Sequence, residues 1–285
     1  MSGRIGGKSD GPPLLLLHGF PETHVMWHRV AAALRDRYLV VLLDIRGYGQ
    51  SSKPDGLPDH SNYSKRAMAN DAIGVMDALG LDRFLVCGHD RGGRVGHRMA
   101  LDHPHRVSKL CVVDIAPTLD MYAATDMAFA TAYYHWFHLI QPSPLPESMI
   151  GGDASTYLHA VLGGWGSGGL RHIESRALAE YEHSFTGDAI HAMCEDYRAS
   201  AGIDLVHDQE SRDRGDKIRC DTHVLWGERG VIHRLFEPLQ LWQGQCLGAV
   251  TGHPMPAGHF IPEELPSETA QALDKFFGAG TTAEG

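Results

Sequence analysis

Unbroken apolar runs bounded by turn residues recur along the chain: LLLL at 14–17, YLVVLLD at 38–44, FLVCG at 84–88, LCVVDI at 110–115 and THVLWG at 222–227. Runs of this length without polar alternation suit strands buried on both faces of a parallel sheet. Between them, near 24–35, 65–79, 92–103 and 266–277, apolar positions return every three to four residues, which predicts helices. The alternation predicts an open, mostly parallel α/β sheet flanked by helices. It stops between 115 and 222. There MAFATAYYHWFHLI, ASTYLHAVLGG, SRALAEYEHSF and AIHAMCEDYRA all carry helical spacing. The expected organisation is a core domain formed by 1–116 and 205–285. A helical cap, 117–204, is inserted above the sheet's carboxyl edge, where such folds bind ligands.

Charge narrows the partners. The formal net charge is −10, and no Lys/Arg run offsets it, which argues against nucleic acid. An anionic substrate would need cations of its own at the site. The five cysteines form no C-x-x-C pair, so a reducing cytoplasm is the expected setting. The longest early apolar run is four leucines, too short for a membrane span. Neither H-E-x-x-H nor a phosphate loop occurs, so no metal and no cofactor is expected.

The chemistry concentrates in FLVCGHDRGGRVGHRMALDHP, 84–104. An apolar strand, a Gly88-His89-Asp90-Arg91-Gly92 turn and a helix have the outline of a nucleophile elbow, with Asp90 where most such enzymes carry serine. A carboxylate nucleophile forms an ester that must then be hydrolysed, which requires a base, an acid to orient it and an oxyanion hole. His259, in AGHF before the closing helix, occupies the last place in the order nucleophile, acid, histidine. The acid is Asp114, ending LCVVDI, or Glu228, following THVLWG; spacing alone leaves both open. The HGFP loop at 18–21 follows the first strand, so the backbone N–H groups of Phe20 and Arg91 are the expected oxyanion donors.

HGFPETHVMWHRVA, DIRGYGQSSKP, GHDRGGR, VVDIAPT, YYHWFHLIQPSPLPE, MCEDYRA and AGHF run from about residue 12 to the last helix. Together they closely resemble the fluoroacetate (haloacetate) dehalogenases, in the aspartate-nucleophile branch of the α/β-hydrolase superfamily. The resemblance implies Asp90 as nucleophile, His259 as base and Asp114 as its partner. It also implies Arg91 and Arg94 as ligands of the substrate carboxylate, and His135, Trp136 and Tyr197 as donors to the departing halide. Trp165 is implied as a pocket wall, a small haloacid as the substrate and a homodimer as the assembly. In one respect the chain departs from the pattern. Relatives begin with an antiparallel strand pair, whereas here about a dozen Gly-rich residues precede GPPLLLLHGF, leaving the sheet's first edge unassigned.

The arginines have a physical rationale. A carboxylate substrate approaching an anionic nucleophile is repelled, and two guanidiniums three residues apart on one helix face offset that repulsion. The competing expectation is that both arginines pair with cap or loop acids. Among rival activities, a haloalkane dehalogenase would carry Trp after the nucleophile, where this chain has Arg91. An epoxide hydrolase would use two cap tyrosines, Tyr197 with Tyr133, Tyr134 or Tyr157. No Gly-x-Ser-x-Gly occurs, which removes a serine esterase. A silent small-acid-binding protein would have no use for Asp90, Asp114 and His259 together.

Overall fold

The computed structural model describes residues 1–279. Seven strands form one sheet: β1 Ser2–Gly7, β2 Pro13–Leu17, β3 Leu39–Asp44, β4 Phe84–His89, β5 Val107–Val113, β6 Asp221–Gly227 and β7 Val250–Met255. Their order is β1-β3-β2-β4-β5-β6-β7, and only β1 runs antiparallel, against β3. The side chains of β4 are all buried, as are the four leucines of β2. These are the runs without polar alternation, and they lie at the centre of the sheet.

The first edge, unassigned from sequence, is a strand. Ser2–Gly7 pairs with β3 over six residues, from Ser2 opposite Asp44 to Gly7 opposite Leu39. SGRIGG carries no apolar alternation, so its strand character comes from the open edge of β3, not from its own propensity.

Helices α1 His28–Leu34, α2 Lys65–Ala78 and α3 Asp90–Asp102 alternate with the early strands. Between β5 and β6 lie α4 Thr118–Ala123, α5 Met127–Ala132, α6 Tyr134–His138, α7 Leu145–Gly151, α8 Ala154–Trp165, α9 Ser175–Ser184, α10 Gly187–Ala201 and α11 Ile203–Asp213. After β6 come α12 Val231–Leu235 and α13 Pro238–Gln243, and after β7 come α14 Ile261–Glu264 and α15 Pro266–Gly278.

Two details depart from the periodicity. The segment expected as one helix over 127–140 breaks at Tyr133, whose φ of −107° and ψ of 35° leave the helical region; α6 begins there and buries His135 and Trp136. The expected return to the core at 205 falls inside α11. That helix is tied to α3 by an Arg98–Asp208 ion pair and to α4 by Arg212–Asp120.

Candidate active site

The order in which the chain adds strands reverses at β2, which lies between β3 and β4; α/β folds open their ligand crevices at the carboxyl ends of strands at such a point. Asp90 stands there, between β4 and α3, with φ at +44°. A left-handed conformation costs an L-residue about 1–3 kcal/mol and persists only where neighbours enforce it. The glycines do so here. A Cβ on Gly92 would lie 2.4 Å from the carbonyl oxygen of His18, and one on Gly88 would lie 2.3 Å from the carbonyl oxygen of Gly92. The turn is therefore too tight for side chains at either position, and the Gly92 N–H donates to that His18 oxygen at 2.9 Å. The Asp90 carboxylate is aimed into the site, where Oδ1 accepts from the Phe20 N–H at 3.0 Å.

Asp114 lies just beyond β5, also at positive φ, +53°. In the register of β4 and β5, His89 is opposite Val113, so Asp90 and Asp114 leave neighbouring strands at the same level. Asp114 Oδ2 lies 2.6 Å from His259 Nδ1, and its Oδ1 accepts from the Gly227 N–H at 2.8 Å. The other acid candidate, Glu228, is exposed and makes no bond to His259. It begins the loop after β6 and leaves the strand on the solvent side. Since Asp114 occupies Nδ1, Nε2 is the free ring nitrogen of His259, and it has no protein partner although buried.

The electrostatics separate these groups. Burial works to raise the Asp90 carboxyl, but His259, Arg91 and Arg94 outweigh it and hold the group at about 2. It is an anion under any ordinary condition. Burial works to lower the His259 imidazole, and the bond and charge of Asp114, followed by the charge of Asp90, raise it above the ordinary 6.5.

Both arginines are buried rather than turned to solvent: Arg91 is 0% exposed and Arg94 2%. They differ in their partners. Arg91 gives Nε and Nη2 to the two oxygens of Asp196, at 2.8 and 2.7 Å, so its fork is held by an acid of α10. The expectation of pairing with an acid thus describes this residue, with only Nη1 left without a partner. Asp196 is itself held by Lys65 Nζ and by the Tyr48 hydroxyl, which donates at 2.7 Å. Arg94 has no carboxylate within ion-pair distance among the described residues. Its Nη1 donates to the Ala116 carbonyl at 3.1 Å and to Thr118 Oγ1 at 2.9 Å, while Nε has no partner.

Aromatic groups complete the inner wall. The Arg91 guanidinium lies 4.1 Å from the centre of the Tyr197 ring, and that of Arg94 lies 4.7 Å from the Trp136 ring. The His135 ring is 5.7 Å from Tyr197 and 4.2 Å from Trp165. His135 Nδ1, Trp136 Nε1 and the Tyr197 hydroxyl are buried without a protein partner. Polar groups in that state are uncommon in native interiors, and these three cluster beside the two arginines. A cavity of about 210 Å3 opens from Asp90, His135 and His259 past Tyr133 and Trp165. Arg91, Arg94, Trp136 and Tyr197 are not among its lining residues; His135, which is, contacts the Tyr197 ring, and Asp90 feels the charge of both guanidiniums.

Asp196, Lys65, Tyr48, Thr118 and Glu22 escaped sequence reasoning. Asp196 adjoins Tyr197 in CEDYRA, and an acid beside a pocket residue was the one signal available. Glu22 follows HGFP, is 0% exposed, and lies 3.3 Å from His89 Nδ1. Burial, with the charge of Asp90 adding to it and His259 opposing, pushes its carboxyl well up.

A mostly parallel sheet with an elbow after β4, an acid after β5 and a histidine after β7 defines the class as a hydrolase scaffold. The α/β hydrolase fold model matches residues 12–164. Over 95% of this chain and 88% of the other, the sequence is 46% identical to a fluoroacetate dehalogenase of Burkholderia sp. It is 30% identical to a soluble epoxide hydrolase of Corynebacterium sp. (strain C12), over 94% and 91% of the two chains. A crystal structure of an α/β hydrolase candidate from Nostoc sp PCC 7120 superposes with a TM-score of 0.92 at 50% identity, covering 98% of each chain. The chain belongs to the haloacetate dehalogenase family of α/β-hydrolases.

Proposed function

We propose that the protein hydrolyses haloacetates to glycolate and halide through an aspartyl ester. The observation that carries this reading is Arg94, a buried guanidinium beside Asp90 with no acid pairing it. Leaving a buried charge unpaired costs several kcal/mol, and a substrate carboxylate supplies the missing partner. Arg91 Nη1 adds a second donor. Neither guanidinium lines the cavity, so the carboxylate reaches them by a side-chain movement at its buried end; held there, its halogen-bearing carbon faces Asp90. One carboxylate oxygen attacks from the side opposite the halogen, the carbon–halogen bond breaks, and its electron pair leaves with the halide. His135, Trp136 and Tyr197 offer N–H and O–H donors to that ion. Burial holds the His135 imidazole well below its ordinary range and the Tyr197 phenol well above its own. Both groups are therefore neutral, with hydrogens to donate. The ester carbonyl then takes water activated by His259 Nε2. The Phe20 N–H, already on Asp90 Oδ1, and the Arg91 N–H stabilise the oxyanion. The helices of 117–204 serve as the cap that excludes bulk water, and a dimer is the proposed assembly.

Epoxide opening is the second reading, supported by the Corynebacterium relative. It requires paired phenols over the nucleophile and gives an unpaired buried Arg94 nothing to do.

Arg94→Met separates the readings. The Michaelis constant for chloroacetate is expected to rise about 10²–10³-fold, in keeping with about 3–4 kcal/mol for stripping one partner from a buried charge pair. The melting temperature should hold or rise, because removing an unpaired buried charge relieves its desolvation. Ion-selective detection of halide from chloroacetate and fluoroacetate, with a thermal melt, checks both. An unchanged Michaelis constant removes the carboxylate from Arg94.

The two half-reactions should also part company with pH. Displacement needs only the Asp90 anion, whose carboxyl lies at about 2. Ester hydrolysis needs His259 neutral, and its imidazole is raised, so the acid side loses hydrolysis first. In the ester Asp90 carries no charge, and part of what raises His259 is gone. The acid limb of kcat should therefore lie below the His259 titration seen by NMR in the free protein. Rapid-quench measurement of the halide burst against steady turnover between pH 5 and pH 8, the range in which imidazoles titrate, tests this; a burst that fades together with turnover rejects the division of labour.

A further inference from the structure

We infer that Arg229 and Arg234 form a cationic mouth that draws anionic substrate into the cavity, an inference resting on the haloacid reading above. Both line the cavity that reaches Asp90. Asp90, Asp114, His135 and His259 are its buried end, whereas Arg229 and Arg234 are exposed and mark where it meets solvent. Arg229 sits on the loop after β6, fixed by its N–H to the Ala257 carbonyl at 3.0 Å and by its guanidinium to Pro256 O. Arg234 lies on α12, close enough to Tyr133 in the cavity wall for its charge to act on that phenol. Neither guanidinium has a carboxylate within ion-pair distance among the described residues, whereas Arg46, Arg66, Arg98, Arg198 and Arg212 all do. Their charge is therefore not cancelled locally.

The global charge makes this consequential. At a net −10, the protein's own field opposes the approach of any small acid. Asp90 and Asp114 lie at the buried end of this cavity and the cations at its mouth; charge of one sign at the entrance to a cleft concentrates ligands of the other sign, and such steering raises association by about 10–10³-fold at low salt. Arg91 and Arg94 cannot serve this purpose, because both are sealed from solvent and act only after entry. Arg229 and Arg234 are the exposed cations of the cavity. They are exposed where Asp90 is buried, so the effect assigned to them is on binding and not on chemistry.

The test compares wild type, Arg229→Gln/Arg234→Gln and the double lysine variant on chloroacetate. Ionic strength is raised with sodium sulfate, which adds no halide, and circular dichroism checks the fold. At low ionic strength the glutamine variant should lose about tenfold in kcat/KM, with kcat held within about twofold and the lysine variant near wild type. Wild-type kcat/KM should fall as the Debye length shrinks from about 30 Å at 0.01 M toward about 3 Å at 1 M, and the two curves should converge. Equal salt slopes in wild type and the glutamine variant, or a loss confined to kcat, overturn the mouth while leaving the dehalogenase reading intact. No halide release by wild type, from either fluoroacetate or chloroacetate, overturns the reading itself and the inference with it.

Discussion

Asp90→Asn is expected to abolish halide release, lowering turnover by about 10⁴-fold or more, and yet to bind haloacetate more tightly than the native protein. Nucleophiles acting as part of a catalytic unit cost this much when lost, and an amide oxygen carries no charge to push onto carbon. The gain in binding is the less obvious half. On the proposed reading, the substrate's carboxylate meets Arg94 and Arg91 Nη1 against the nearby charge of Asp90. Like charges about 4 Å apart repel by about 4 kcal/mol at an effective dielectric of about 20. Removing one of them leaves the cationic side of the pocket unopposed. Calorimetry with chloroacetate should show the dissociation constant falling at least tenfold, while an ion-selective electrode registers no halide. A variant that had merely misfolded would lose both. In the native protein, a single turnover in heavy-oxygen water should put the label into Asp90, because water attacks the ester carbonyl. Label found only in glycolate would mean that water attacked the substrate directly, and the ester would be excluded.

His259→Gln should release one equivalent of halide per site and then stop. The first step needs no proton transfer, since Asp90 is already an anion. The second needs a base on water, and the variant has none. Glutamine keeps a polar side chain of similar reach, so the wall at Trp165, whose carbonyl accepts from the backbone N–H of residue 259 at 2.9 Å, is preserved. Steady turnover should fall by about 10³-fold or more, and mass spectrometry of the quenched protein should find a glycolyl group on the peptide containing Asp90. Continued turnover without an accumulating adduct would assign the base to another residue, with Glu22 the first to examine.

The central strands, the helices between them, and the elbow with its glycines were legible because each depends on local properties. Apolar runs need two buried faces, and a tight turn needs small residues at fixed positions. Asp90, and His259 by its place in the order, follow from that grammar. The first edge strand was not legible. SGRIGG has no pattern of its own and is recruited by the unpaired side of β3. The break at Tyr133 was equally hidden, because a helical period continues through it.

Spacing also left the acid open, although the family resemblance pointed to Asp114. Asp114 and Glu228 both follow strands, and only the register of β5 beside β4 turned one inward to His259 and left the other in solvent. The arginines show the division most sharply. Spacing on one helix made Arg91 and Arg94 look equivalent, but α10, about a hundred residues away in sequence, brings Asp196 onto one and not the other. Sequence by itself determined which groups could react, because turn geometry and residue chemistry are local. Which of them remain unpaired, and so able to hold a substrate, was decided by packing, because a buried charge is compensated or left free by residues that meet only in the folded chain.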